Sequence, residues 1–289
     1  MLKRRIVIVG RDGAMAQFFA NWLTSLGHSV EGFDRQTWHR AAEVLPEADL
    51  VIVAVPIDRT ESVIRQVGPY LTSNTVLADI TSIKRQPVQV MLEAHHGPVV
   101  GLHPMFGPTS DSVSNQVLVH CGGRLEQQLH WFCDAWIGSG GTVLYSNPTE
   151  HDHMMATIQA VRHFTTFVFG CHLQAEDVDL NRTLAFSSPI YRLELGMVGR
   201  LFAQQAELYA DIIFNSEEGL DILRRYHNSF GALLSELEQG NREQFIERFA
   251  TTKAWFGPLA DVFLDESSKL LNAAVSQRKP ADLVMERDS

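Results

Sequence analysis

Leu50-Val51-Ile52-Val53-Ala54-Val55 is a run of six apolar residues closed by Pro56. No polar residue alternates within it, so both faces of the strand must be covered, and the proline ends it because proline cannot donate to a ladder. A strand buried on both faces belongs inside a parallel sheet, and parallel strands require long, usually helical, crossovers. The neighbouring sequence supplies them. Ile6-Val7-Ile8-Val9 is a β-branched strand ending at Gly10; residues 14–26 follow with helical spacing, and Gly27 stops that helix. Residues 28–33 predict a strand ending at Asp34, and 76–80 and 99–102 predict two more, with helices at 62–71 and 87–93. Residues 116–121 and 142–145, flanking a helix around Trp131, complete a doubly wound α/β sheet with right-handed crossovers.

From Asn147 the pattern changes to long helices, at 150–172, 188–204, 206–214, 218–238 and 242–272. The expected division is an α/β domain at 1–146, an all-α domain at 147–275 and a polar tail at 276–289. A chain of 289 residues, 45% hydrophobic, can fill two cores. Phe245, Phe249, Trp255 and Phe263 exceed what one thin helical layer hides, which predicts a homodimer formed through the helical domain. A net charge of −10 leaves no basic footprint, which excludes nucleic acid and an anionic membrane as main partners. Any anionic small molecule must then be met by local arginines. No apolar stretch approaches the roughly 20 residues of a membrane span, so a soluble protein is expected. Cys121, Cys133 and Cys171, odd in number and without paired spacing, read as reduced core thiols of a cytoplasmic protein. His151 and His153, two apart around Asp152, face apart on a helix, so no metal site is expected.

Gly10-Arg11-Asp12-Gly13-Ala14-Met15-Ala16 lies between the first strand and the first helix, where a dinucleotide fingerprint sits. Glycine lets the backbone approach a pyrophosphate, and a helix N-terminus favours its charge. Ala16 stands where a third glycine is usual. Asp34, twenty-one positions after Gly13, suits the ribose hydroxyls of NAD, while Arg35 beside it leaves NADP open. Val55 and Pro56, closing the central strand, belong to the same cofactor edge. The loop taken alone suits a tight strand-to-helix turn equally well; the strand context favours a Rossmann-like nucleotide domain.

Gly101-Leu102-His103-Pro104-Met105-Phe106-Gly107-Pro108 closely resembles the prephenate dehydrogenases, specifically the dehydrogenase part of the bifunctional chorismate mutase–prephenate dehydrogenases. The likeness continues through Asp79-Ile80-Thr81-Ser82-Ile83-Lys84, Glu150-His151-Asp152-His153, Ile158-Gln159-Ala160-Val161-Arg162-His163-Phe164, Ser187-Ser188-Pro189-Ile190-Tyr191-Arg192-Leu193-Glu194-Leu195, Gly199-Arg200-Leu201-Phe202-Ala203-Gln204 and Leu208-Tyr209-Ala210-Asp211, in family order. Two features depart from the family: no mutase segment precedes the first strand, and the cofactor loop is poorer in glycine. A stand-alone form is expected. Stand-alone relatives include enzymes that act on 4-amino-4-deoxyprephenate, which is the alternative substrate.

The resemblance implies NAD-dependent oxidation and decarboxylation of a cyclohexadiene dicarboxylate, prephenate, to 4-hydroxyphenylpyruvate in tyrosine biosynthesis. It makes His103 the base for the C4 hydroxyl and Arg200 the stronger carboxylate clamp. Arg192, eight residues before Arg200, points to roughly the same side of one helix, and Gly196 between them leaves space there. Both suit carboxylates as forked guanidiniums, although helical arginines commonly pair with neighbours such as Glu194 or Glu207 instead. Tyr209 can join them only if the helix breaks near Gln204 or Gln205; Gln204 is a further substrate candidate. Ser82 and Lys84 could reach the nicotinamide or substrate, the alternative being a solvated loop lysine. Gln159 and His163 share a helix face by their spacing, and the family pattern puts that face near the substrate. Hydroxyacid dehydrogenases of similar order rely on a lysine early in the second domain, and none occurs between Lys84 and Lys253. A catalytically inactive nucleotide sensor is opposed by the presence of both His103 and Arg200.

Overall fold

The computed structural model describes residues 2–107 and 109–276. Pro108 of the histidine motif and residues 277–289 of the expected tail lie outside the described residues. The strands are β1 Arg5–Val9, β2 Ser29–Phe33, β3 Leu50–Val53, β4 Val76–Asp79, β5 Val99–Pro104, β6 Val117–Arg124 and β7 Thr142–Ser146. They form one sheet in the order β2-β1-β3-β4-β5-β6-β7. The first five are parallel, β6 runs antiparallel to β5, and β7 is parallel to β6.

Around the sheet lie α1 Ala14–Ser25, α2 Ala41–Val44, α3 Ile57–Val67, α4 Arg85–Ala94 and α5 His130–Gly138, followed by α6 Pro148–Met155. A π-helical turn, Ala156–Val161, joins α6 to α7 Arg162–Ala175. The remaining helices are α8 Leu180–Phe186, α9 Pro189–Phe202, α10 Ala206–Phe214, α11 Gly219–Glu238, α12 Arg242–Phe256 and α13 Leu259–Ser276.

The uninterrupted apolar runs have a direct structural cause. Ile6, Ile8, Leu50 and Ile52 point into a core with Phe19, Trp22 and Trp136, whereas Val7, Val9, Val51 and Val53 point into a second core with Ile64 and Met91. Successive side chains leave opposite faces of a strand, and both faces are covered, so from Ile6 to Val9 in β1 and throughout β3 every position is buried and apolar. Each such side chain contributes on the order of 1.5–3 kcal/mol by its burial. β1 lies between β2 and β3, so the crossover direction reverses beside it, and a crevice opens at the carboxyl ends of these strands.

The chain clusters into two compact units that cross the 146/147 boundary expected from sequence. One holds the described residues up to Ala160 with Glu207–Leu220; the other holds Val161–Ala206 with the described residues from Asp221 on. α6 and α10 thus belong to the sheet unit. In the helical unit α7 packs on α9, with the Phe202 ring against Gly170, where an added Cβ would lie 2.8 Å from its Cζ. Its other helices leave large apolar side chains open: Phe249 is 64% and Trp255 79% exposed.

Several expected bounds change. The helix expected at 62–71 starts at Ile57, because Pro56 fixes its entry and Thr60 bonds the Pro56 carbonyl; Gly68 and Pro69 then tighten its end into a 3-10 turn. The helix expected at 242–272 breaks at Gly257, whose φ of +53° is left-handed, followed by Pro258. The short helices α2 and α8 carry too few turns to show a period. No described helix is long and apolar enough to cross a membrane.

Histidine burial sets an acid limit on this fold. His28, His95, His103, His120 and His163 are all pushed below the ordinary imidazole value, in each case chiefly by burial. Below about pH 6.5 the unfolded chain takes up protons that the folded chain refuses, so stability falls as pH falls. We expect the urea midpoint to be lower at pH 5.5 than at pH 7.5, the unfolding free energy falling by on the order of 1 kcal/mol per pH unit below about pH 6.5 for each histidine that stays neutral. An unchanged midpoint would mean that these rings accept protons in the folded state.

Candidate active site

Gly10 follows β1 with φ +99°, and a Cβ there would lie 2.5 Å from the Ala54 carbonyl oxygen and 3.0 Å from Val55. Only glycine fits so close to the end of β3. Gly13 donates its N–H to the Gly10 carbonyl at 3.0 Å and stands at the N-cap of α1. No side chain caps this helix, and its first turn holds no acidic residue, so the N–H groups around Ala14 and Met15 face an open, electropositive end. Ala14 is exposed, Met15 half-buried against the core, and Ala16 fully buried. Such a cradle suits an anionic pyrophosphate.

Asp34 closes β2, with Arg11 reaching across Gly32 to it. A Cβ at Gly32 would lie 2.7 Å from that of Arg11, so the glycine makes room for the arginine stem. Arg11 Nε meets Asp34 Oδ2 at 2.7 Å, while Asp34 Oδ1 accepts the N–H groups of Gln36 and Thr37 at 2.8 and 3.0 Å. Burial pushes the carboxyl up, but the Thr37 and Gln36 donors and the Arg11 charge hold it below its usual range. Val55 is half-buried and Pro56 exposed, both at the carboxyl edge of β3.

His103 is the fifth residue of β5 and 3% exposed. Its Nδ1 lies 2.8 Å from Nε2 of His151 on α6, and its Nε2 lies 3.4 Å from the Gln159 side-chain amide on the π turn. His151 Nδ1 in turn lies 2.7 Å from Asp152 Oδ1. Asp152 also accepts the backbone N–H of Lys84 at 2.7 Å and of Arg85 at 2.8 Å. Burial raises the Asp152 carboxyl, yet the His151 bond and the two backbone donors outweigh it and hold the group low. Burial first, then His151 and the Lys84 charge, push His103 well below the ordinary histidine value. The ring is therefore a neutral acceptor over the physiological range.

Lys84 is not the solvated loop lysine that its sequence position allowed. It is fully buried, and its ammonium pairs with the equally buried Asp79 and lies 3.4 Å from Thr81 Oγ1. Gly101 opens the space: a Cβ there would stand 2.8 Å from Lys84 Cδ. Gly101 and His103 are two apart on β5 and share a face, so the ammonium bears on the histidine by its charge. Ser82 and Gln159 line a small cleft with Asp152, Met155, Ile212 and Asn215.

The chain carries family signatures over both halves. The family model "Prephenate dehydrogenase, nucleotide-binding domain" matches residues 26–140, and "Prephenate dehydrogenase, dimerization domain" matches 147–251. The T-protein of Enterobacter agglomerans is 47% identical over 275 residues, covering 95% of this chain and 74% of that protein. The chain belongs to the prephenate dehydrogenase family. The T-protein of Haemophilus influenzae is 46% identical over 270 residues, covering 93% of the dehydrogenase chain and 72% of its relative. Among solved structures, a prephenate dehydrogenase from A. aeolicus in complex with hydroxyphenyl propionate and NAD+ shares the fold with a TM-score of 0.74 at 17% identity, over 88% of this chain and 97% of that one.

The other expected site residues of this dehydrogenase divide between the units. Tyr209 lies on α10 in the sheet unit, half-buried, and the helix break that its role requires is present between Phe202 and Ala206. Arg192 and Arg200 lie on α9 in the helical unit, and apart from the flanking residues and the helix's own backbone no described atom comes within 4 Å of a Cβ built at Gly196 or Gly199. Gln204 donates its side-chain N–H to the Arg200 carbonyl at 3.0 Å. His163 sits on α7, its ring pushed down by burial and then by Arg162. Among the described residues no group of three or more His, Cys, Asp or Glu could hold a metal.

Sequence reasoning missed His151, Asp152 and Asp79. The available signal was the His-Asp pair itself, dismissed because metal ligation was the only role weighed. Removing one partner of a buried ion pair leaves the other charge stranded, at a cost of roughly 3–5 kcal/mol. Lys84→Met should lower the unfolding free energy by about that much, with Asp79→Asn added to it restoring part. Additive losses in a urea double-mutant cycle would show that the pair is not coupled.

Proposed function

We propose that this dehydrogenase oxidises prephenate with NAD and releases CO2, giving 4-hydroxyphenylpyruvate for tyrosine biosynthesis. The observation that carries the reading is a neutral, buried His103 at the same carboxyl edge of the sheet as the Gly10–Gly13 cradle. Bound NAD would supply the acceptor for the hydride from C4. Gly10, Gly13 and the first turn of α1, at Ala14 and Met15, would hold its pyrophosphate, with Val55 and Pro56 beside them at the carboxyl end of β3. Asp34 takes a ribose hydroxyl on a lone pair that its present partners leave, and Arg11 keeps that carboxylate aimed.

His103 accepts the C4 hydroxyl proton through Nε2 as the C4–H bond breaks. The electron pair of the C1–carboxylate bond then enters the ring as CO2 departs, and the proton returns to the ring oxygen, leaving a phenol. No net proton is consumed. The substrate carries two carboxylates into a chain of net charge −10, so local cations must bind them. Arg200 is the proposed principal clamp and Arg192 its second, with Tyr209, Gln204, Ser82, Gln159 and His163 completing the contacts. The buried Lys84 charge adds a favourable field for an anion. The open apolar faces of α12 and α13 and the family's dimerization domain support a homodimer through the helical domain. Three free thiols support a cytoplasmic setting.

NADH formation separates the roles. His103→Asn should lower kcat by about 100-fold or more while leaving the KM for prephenate within a few-fold. Arg200→Ala should chiefly raise KM, by about 10- to 100-fold. Near wild-type kcat in the first variant removes His103 as the base; an unchanged KM in the second removes Arg200 as the clamp.

A further inference from the structure

The hydrogen-bond chain behind His103 has a direction, set at its far end. Asp152 receives backbone N–H groups from Lys84 on Oδ1 and Arg85 on Oδ2, so its carboxylate is ionised and can only accept. The proton in its 2.7 Å contact with His151 must then sit on His151 Nδ1. A neutral imidazole carries one N–H, which leaves a lone pair on His151 Nε2. Across the 2.8 Å contact to His103, the donor must therefore be His103 Nδ1. What remains on His103 is a lone pair at Nε2, the atom that faces the Gln159 amide.

Resting on the functional reading above, we propose that His151 and Asp152 are positioning residues that lock His103 in its Nδ1–H tautomer and so present Nε2 as the proton acceptor. When the C4 O–H bond breaks and the Nε2–H bond forms, the resulting imidazolium points its Nδ1–H down a chain that ends on a carboxylate. The charge is stabilised without any further group changing its protonation. The π turn is part of the device. In an uninterrupted α-helix Gln159 would be turned about 80° from His151. The wider turn at Ala156–Val161 advances less per residue, and both side chains reach the same imidazole.

The groups facing His103 are His151 from α6, Gln159 from the π turn and the Lys84 ammonium, itself paired with Asp79 of β4. Lys84 disfavours an imidazolium, whereas Asp152, through His151, favours one. Removing the dyad should therefore make protonated His103 harder to form, slowing the chemical step without touching the carboxylate clamps.

Nitrogen-15 NMR of the imidazoles in the whole wild-type protein reads the tautomer directly. At pH 7.5 the expected result is His103 neutral with its proton on Nδ1; a proton on Nε2 overturns the proposal, since the chain would then run the other way from an imidazolium at His151. In parallel, His151→Phe should lower kcat by about 10- to 100-fold and shift the pH profile of kcat/KM, with KM for prephenate and the dissociation constant of NAD unchanged. His151→Gln, whose carbonyl can still accept from Nδ1–H, should recover part of the loss. Wild-type kcat and pH profile in His151→Phe would also overturn it. The NMR result stands whether or not prephenate is the substrate, so failure of the wild-type enzyme to oxidise prephenate sinks the functional reading separately.

Discussion

The carboxylate of Asp152 ties the parts of the site together. α4 has no side-chain cap of its own, and its first N–H groups are met by Asp152, 67 to 68 residues further along the chain. Unmet donors at a helix start are costly to bury, so this one side chain fixes where α6 lies against the start of α4. The same carboxylate orients His151, and His151 orients His103. Helix capping and alignment of the His103 ring are thus a single interaction. A chain that loses it loses the geometry of both.

Around that anchor, charge is arranged to keep one imidazole neutral. Burial and the Lys84 ammonium both oppose a proton on His103. Asp79 holds Lys84 in place without cancelling it at the histidine, and Gly101, lacking a side chain, lets the lysine stem cross β5. A carboxylate-bearing substrate and a nearby cation are natural partners, so the same charge that depresses the histidine favours the anion it is proposed to serve. The acid sensitivity of the fold comes from the same burial.

Much of this was legible in the sequence. The apolar runs at Ile6 and Leu50 fixed a two-faced parallel sheet, because no other placement buries both sides. Gly10 marked the end of β1, and the structure gives the reason for a glycine there in its close approach to the Ala54 carbonyl oxygen. The break required for Tyr209 is present. The missing parts share a cause: each depends on a contact between distant segments. A solvated loop lysine stayed open as the alternative for Lys84 because Gly101, which houses its stem, lies on another strand. His151 looked idle because its partner is His103, 48 positions away. The π turn has no sequence period of its own, and the Arg11–Asp34 pair depends on Gly32 lacking a Cβ.

The most direct test is absorbance at 340 nm with purified protein, NAD and either prephenate or 4-amino-4-deoxyprephenate, with 4-hydroxyphenylpyruvate quantified beside NADH. The expected result is one NADH per 4-hydroxyphenylpyruvate and a clearly higher kcat/KM for prephenate than for the amino compound. A preference for the amino compound would contradict the assigned substrate. Absence of turnover with either, in protein that is folded and binds NAD, would contradict the assignment of His103 as the base of a working dehydrogenase.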